Sequence, residues 1–270
     1  QGDHAVHVPG SPLASGAVRR SARAIPVLSS SCGGVDETSR GPAAHDAAKR
    51  DKSHKDVAST SPPAEPATAP AVFQIGLQYR FKPIYVEAIH EALARKTIGD
   101  IKTISILEHR FPFLDKVKQW NKFSKYSGGT LVEKCCHYFD LMNLFAGARP
   151  VSVFATGSAA VNFLDFEYEG QKSDILDNAF VIVTYANGVR ASFNLCMFSP
   201  MFYEELVLCG DEGRLKAWEN EDFLPAHKTD THLEILCGDH RPTRIGAPCY
   251  PAFIQQSGHN GATYFEHVNF

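Results

Sequence analysis

Residues 1–71 contain no Phe, Trp or Tyr, and every one of these residues in the 270-residue chain falls from Phe73 onward. A segment without large apolar side chains cannot bury enough surface to offset the entropy of ordering it. The core is therefore expected within residues 72–270, preceded by a disordered, low-complexity segment over 1–71. That early segment is rich in Ala, Ser, Pro and Gly, contains Pro62-Pro63, and shows neither a strand nor a helix period.

Within it, His4 to Val35 lacks acidic residues but carries Arg19, Arg20, Arg23 and several serines. This is similar to an organelle transit peptide, against which stands an ordinary low-complexity tail. Localisation is left between cytoplasm and organelle. A chain that opens on Gln1 rather than Met is expected to be a processed product or a fragment.

The formal charge of -3 gives no reason to expect nucleic acid or an anionic membrane as a partner. No apolar run approaches the roughly 18 residues that span a bilayer. The seven cysteines are an odd number and lie mostly inside expected strands and helices. They read as buried thiols rather than a disulfide framework, and Cys135, Cys136 and His137 match no zinc spacing, so no metal site is expected.

From residue 72 the patterns are those of a globular domain. Val72–Tyr79 is a β-rich apolar run. Pro83 opens a helix through about Lys96, and Ile101–His109 alternates as a strand. A second helix is expected over Leu131–Phe145. After Pro150 the chain reads as hairpins, the clearest being Phe180–Tyr185 and Val189–Met197 around Asn187-Gly188. A last helix begins after Gly261. Helices early and hairpins late imply an α+β fold: an open, mostly antiparallel β-sheet with helices on one face. The two strands around Asn187-Gly188 are apolar on both faces, so a second subunit is expected to cover the open face as a homo-oligomer.

The helix Leu131–Phe145 is apolar over most of its circumference, yet Glu133, His137 and Asp140 follow at spacings of four and three, on one stripe. Ionisable groups on a buried helix need partners or a wet cavity. A histidine flanked by carboxylates suits proton transfer near neutral pH, making His137 and Glu133 candidate catalytic residues. Each has a structural alternative. Thr130 to Glu133 fits a capping box, and Asp140 could simply orient a core histidine at 137. Lys134 points round from this stripe and is expected as a surface charge. Trp120 and Asn121 lie in an irregular loop of the kind that lines pockets, with a core plug as the alternative for Trp120.

No dinucleotide, Walker or nucleophile-elbow motif occurs. The ordered series Ile75-Gly76-Leu77-Gln78-Tyr79-Arg80-Phe81-Lys82-Pro83, Ile98-Gly99-Asp100-Ile101, Trp120, then Ser127 to Asp140, and later Gly258-His259-Asn260-Gly261-Ala262 resembles the Gfo/Idh/MocA oxidoreductases, which include glucose–fructose oxidoreductase and inositol 2-dehydrogenase. The resemblance covers about residues 72–270. It implies the C-terminal substrate-binding and oligomerisation domain of an NAD- or NADP-dependent enzyme acting on a secondary alcohol of a sugar or cyclitol. It makes Val72–Tyr79 the last strand of a nucleotide domain whose earlier strands and E-K-P lysine are not in this sequence. It maps the family's acid and histidine onto Glu133 and His137. Trp120, Asn121, Arg80 and Asp140 are the candidate substrate-binding residues. The implied chain is a truncated oxidoreductase that binds no dinucleotide alone and is inactive by itself; the alternative is a non-catalytic sugar-binding or dimerisation remnant.

Overall fold

The computed structural model describes residues 73–221, 229–238 and 241–270; the segment 1–71 and its transit-peptide reading lie outside them. Residues 73–77 have no regular structure, and Gln78–Phe81 is a 3-10 turn. The strand expected over Val72–Tyr79 is thus not formed across its described residues. This stretch pairs with no strand of the sheet, and an unpaired strand leaves its amide and carbonyl groups without partners. Tyr79 instead turns inward and is 2% exposed.

Pro83, which needs no amide partner at a helix start, opens α1 (Pro83–Ile89), and a π-turn over His90–Ala94 continues it. Strand β1 (Ile101–His109) follows. An irregular stretch then includes a 3-10 turn at Val117–Lys122 and the short helix α2 (Ser124–Ser127). The helix expected over Leu131–Phe145 is two helices, α3 (Thr130–Glu133) and α4 (Cys136–Ala146). The glycines at 128 and 129 enter α3 with φ of 76° and 86°, a conformation that other residues resist. The Thr130 hydroxyl donates to the Leu176 carbonyl at 2.5 Å, so the expected capping box is not made. The break at Lys134-Cys135 also ends the continuous 133–137–140 stripe.

The remaining strands are β2 (Pro150–Ser158), the small hairpin β3 (Glu167–Tyr168) and β4 (Gln171–Lys172), β5 (Asn178–Tyr185), β6 (Arg190–Cys196), β7 (Phe202–Gly210), β8 (Arg214–Glu221), β9 (Asp230–Leu236) and β10 (Arg244–Gly246). The chain closes with α5 (Ala252–Gln255), a 3-10 turn at His259–Gly261 and α6 (Ala262–Asn269). Eight strands form one sheet in the order β10-β9-β8-β7-β1-β6-β5-β2. Its neighbours are all antiparallel except β1 and β6. This is the open, mostly antiparallel α+β sheet that the hairpin pattern implied.

Strand alternation separates the two faces. Ile104 and Ile106 of β1, Val181 and Val183 of β5, Phe193 and Leu195 of β6, and Leu206 and Leu208 of β7 are buried on the face carrying α1 and α4. Phe154, Ile182 and Phe180 are each about half exposed; Phe154 sits opposite Ile182 across β2 and β5. Cys135, Cys136, Cys196, Cys209 and Cys237 are free thiols, whereas Cys249 is disulfide-bonded. No described helix is long and apolar enough to cross a membrane.

One row of the buried face is not apolar. Glu108 of β1 lies directly opposite Glu204 of β7, and Glu204 directly opposite Glu219 of β8; all three are 0% exposed. Like charges paired across strands repel, and burial magnifies the cost. Three cations compensate. Lys82, itself 2% exposed, ion-pairs with Glu204 and lies 2.6 Å from Glu219. Arg110 and Lys134 approach the same oxygen of Glu108 at 3.4 and 3.7 Å. The Tyr85 and Tyr138 hydroxyls donate to Glu204 Oε2 at 3.1 and 2.9 Å.

Candidate functional site

The three cations also face a cavity of about 540 Å3, inside the roughly 300–1,000 Å3 range of small-molecule sites. Three parts of its wall come from segments whose cations, Lys82, Arg110 and Lys134, reach the glutamate row. Tyr79 and Lys82 come from the turn before α1, and Arg110, Phe111 and Leu114 from the loop after β1. Lys134 sits at the α3–α4 break, Phe202 at the start of β7, Glu221 at the end of β8, and His259 in the last 3-10 turn. Lys134 is therefore not a surface charge: its side chain is 16% exposed and its Nζ donates to the Tyr79 hydroxyl at 3.2 Å.

Tyr79 organises the wall. The His137 ring stacks on it at 4.4 Å between centroids and 11° between planes, and Tyr138 and His259 meet it edge-on. Lys82 Nζ lies 4.7 Å from the centre of the same ring, a cation–π contact. Gly258 and Gly261 bracket His259 at φ of 99° and 92°, while His259 and Asn260 themselves take the left-handed conformation. That turn is what brings the imidazole to the cavity.

Burial and the positive charges of Lys134 and Lys82 push His137 down to about 4. Burial, Lys82 and Lys134 do the same to the partly exposed His259, also about 4. Both imidazoles are neutral at pH 7. Burial raises the Glu221 carboxyl and lowers Lys134, the latter against the pull of Glu108. Burial, with Glu108 close by, raises Tyr79 far enough to keep its phenol protonated.

The sequence candidates do not all converge here. His137 is half-buried behind Tyr79 and is not among the lining side chains; its Nδ1 is buried with no hydrogen-bond partner among the described residues. The Glu133 carboxylate makes no hydrogen bond or ion pair among the described residues. Asp140 does not orient His137: it accepts both arms of Arg80, from Nε at 2.6 Å and Nη2 at 2.5 Å. Arg80 and Asp140 therefore satisfy each other, and neither lines the cavity. Asn121 supports the wall from behind, its amide donating to the carbonyl of the lining residue Leu114 at 3.0 Å. Trp120 is half-buried in the 3-10 turn and does not line the cavity.

Tyr79, Lys82, Arg110, Phe202 and Glu221 were not candidates from the sequence. The signal available was a glutamate at the inward position of three strands: after Ile104 and Ile106, between Phe202 and Leu206, and after Leu215 and Ala217.

A dinucleotide's pyrophosphate is held where a strand passes through a glycine-rich turn into a helix N-terminus. Among the described residues α1 is entered through Lys82-Pro83, the four-residue α3 through Gly128-Gly129 from α2 and not from a strand, α4 from α3, and α6 from a 3-10 turn. These residues do not fit the group, and no step is derived through it. No cluster of three or more His, Cys, Asp or Glu among them is disposed to hold a metal ion.

Residues 90–234, more than half of the chain, match the oxidoreductase family, C-terminal alpha/beta domain (GFO_IDH_MocA_C). The inositol 2-dehydrogenase of Rhizobium meliloti (strain 1021) is 26% identical over 170 residues, 63% of this chain and 46% of that protein. YteT of Bacillus subtilis (strain 168) is 30% identical over 86 residues, 31% of this chain and 20% of YteT. The chain thus spans less than half the length of these curated relatives. A solved structure from Thermotoga maritima superposes with a TM-score of 0.51 at 16% identity, over 72% of this chain and 52% of the other, which is a likeness of fold.

The two histidines set a pH dependence. The unfolded chain takes up these protons near 6.5 and the folded chain near 4. The unfolded state therefore binds more protons between those values, and stability falls as pH drops from about 6.5 to about 4. A proton NMR titration should place the His137 midpoint near 4; a midpoint near 6.5 would contradict the burial that lowers it.

Proposed function

The chain belongs to the oxidoreductase family through its C-terminal alpha/beta domain, and on that footing we propose that its cavity receives the sugar or cyclitol whose secondary alcohol the whole enzyme acts on. Residues 73–270 are the substrate-binding part. NAD or NADP, the hydride partner that the resemblance implies, is held by residues outside them.

The observation that carries this reading is a cavity whose wall cations face a row of buried carboxylates behind them. Lys82, Arg110 and Lys134 stand against the buried Glu108, Glu204 and Glu219. A neutral, hydroxyl-rich ligand enters such a cavity without leaving a net charge uncompensated. Tyr79, Phe111 and Phe202 offer apolar ring surface to the C–H faces of a polyol, while Lys134, Arg110 and Glu221 offer donors and acceptors to its hydroxyls. His137 is the proposed proton-handling group. Its neutral imidazole can accept a proton at pH 7, and Tyr79 separates it from the cavity by one ring thickness. Glu133, whose carboxylate has no hydrogen-bond or ion-pair partner among the described residues, is the proposed second acid–base group.

A second reading, a polyol-binding protein without turnover, is favoured by one fact: the cavity's lining residues lie between Tyr79 and His259, whereas the described residues offer no dinucleotide cradle. Self-association is part of either reading. Phe154, Ile182 and Phe180 expose an apolar patch on the sheet face away from α1 and α4, and we propose that a second copy covers it.

Calorimetry with myo-inositol tests the cavity. Binding is expected to the whole chain and to weaken about tenfold or more in Arg110→Ala, a loss of one charged hydrogen bond. Equal heats for the variant and the natural chain, or no binding of any polyol, would contradict the site. No heat is expected with NAD or NADP, and micromolar binding of either would reverse the cradle argument. Sedimentation of Phe180→Glu should show a smaller species than the natural chain; an unchanged species would remove the sheet-face contact.

A further inference from the structure

Of the cations on the cavity wall, Lys134 is the one whose charge is least provided for. Lys82 has two carboxylates to itself, one at 2.6 Å and one closer. Lys134 has a single carboxylate oxygen at 3.7 Å, and that oxygen is shared with Arg110 at 3.4 Å. Its other neighbours are rings: Nζ lies 5.6 Å from the centre of Tyr79 and 6.0 Å from that of Phe202. Among the described residues its one hydrogen bond goes to a phenol, that of Tyr79. A lysine desolvated against apolar walls beside other cations is the arrangement that turns an ammonium into a nucleophilic amine.

We propose that Lys134 is a carbonyl-reactive lysine, and that the cavity captures a small hydroxyaldehyde as an imine on its Nζ. Nothing in this proposal requires the oxidoreductase reading or a nucleotide; it rests on the cavity and on two side chains.

The step balances within the site. Nζ attacks the aldehyde carbon and a C–N bond forms. The carbonyl π pair moves to oxygen, which takes the Tyr79 hydroxyl proton, and nitrogen returns a proton to the phenolate. The resulting carbinolamine hydroxyl then takes the Tyr79 proton again and leaves as water when the C–O bond breaks. Nitrogen gives up its remaining proton to the phenolate, so amine and aldehyde have become imine and water. No oxidant or reductant is consumed. One distance and two electrostatic effects suit this. The Tyr79 oxygen is 3.2 Å from the attacking nitrogen, within reach of the carbinolamine oxygen. Its phenol is held protonated by burial and by Glu108, and burial also disfavours the charged form of Lys134. Lys134 sits where the α3–α4 break delivers it, so the same irregularity that interrupts the helix presents the amine.

Glycolaldehyde is the probe. The whole chain is incubated with it at pH 7, reduced with borohydride to fix any imine as a secondary amine, and mapped by peptide mass spectrometry. One adduct on Lys134 is expected ahead of the exposed Lys96 and Lys102. In Tyr79→Phe the Lys134 adduct should form about 100-fold more slowly, the scale of a lost general acid. Adducts distributed over exposed lysines with Lys134 unmodified, or no adduct at all, would overturn the proposal. The natural chain alone decides between these outcomes, so a variant that fails to fold leaves the test intact. Because the readout is covalent, its failure leaves the polyol-binding heats unaffected, and their failure leaves this labelling unaffected.

Discussion

Three glutamates placed side by side on adjacent strands, in a row from which solvent is excluded, are the constraint on which the rest of this structure depends. The pairing of Glu108 with Glu204 and of Glu204 with Glu219 is a matter of strand register, so the carboxylates cannot move apart without breaking the sheet. Their charge has to be met by groups brought to them. Those groups come from three separate segments: the junction before α1, the end of β1, and the break between α3 and α4. A buried ion pair is seldom a net stabiliser compared with apolar packing. What it does enforce is position. Each cation that reaches the row fixes its own segment over the same end of the sheet, and the space between those segments is the cavity.

That origin explains the character of the site. Its charges are consumed internally, which leaves ring faces and a limited set of donors for a ligand. Two imidazoles beside the cations stay neutral. The compensation is uneven, however. Lys82 sits between two carboxylates, while Lys134 and Arg110 share one oxygen of Glu108, whose Oε2 has no hydrogen-bond partner among the described residues. The unevenness sets Lys134 apart from Lys82 on the cavity wall.

The β5–β6 hairpin was legible from its Asn187-Gly188 turn, and the exposed apolar face at Phe180 and Ile182 from strands that are apolar on both faces. The run ending in Tyr79 misled because apolar composition without alternation does not specify a strand, and here Tyr79 is a core ring on a 3-10 turn. The helix through 131–145 misled for a different reason. Its apolar pattern continues across Lys134, but Thr130 spends its hydroxyl on the Leu176 carbonyl, a partner 46 residues away in sequence. That contact is tertiary and has no local signature. Lys134 then turned from a presumed surface charge into a cavity wall. Asp140 was read against His137 because they are neighbours on a helix, whereas its partner Arg80 is 60 residues distant. The glutamate row lay within reach of sequence reasoning, since a glutamate at an inward strand position is an exception that needs a partner. Three strands carry it, and only their pairing shows that the three exceptions are one feature.

The central claim is that the row and its cations form a coupled unit, and a double-mutant cycle between Lys82 and Glu219 measures that coupling directly. In urea unfolding, Lys82→Met and Glu219→Leu should each cost about 3–5 kcal/mol, because each strands a buried charge. The double variant should cost clearly less than their sum, with a coupling of about 2 kcal/mol or more. Additive losses would mean that the two charges do not answer each other, and the account of how the cavity is held would be wrong.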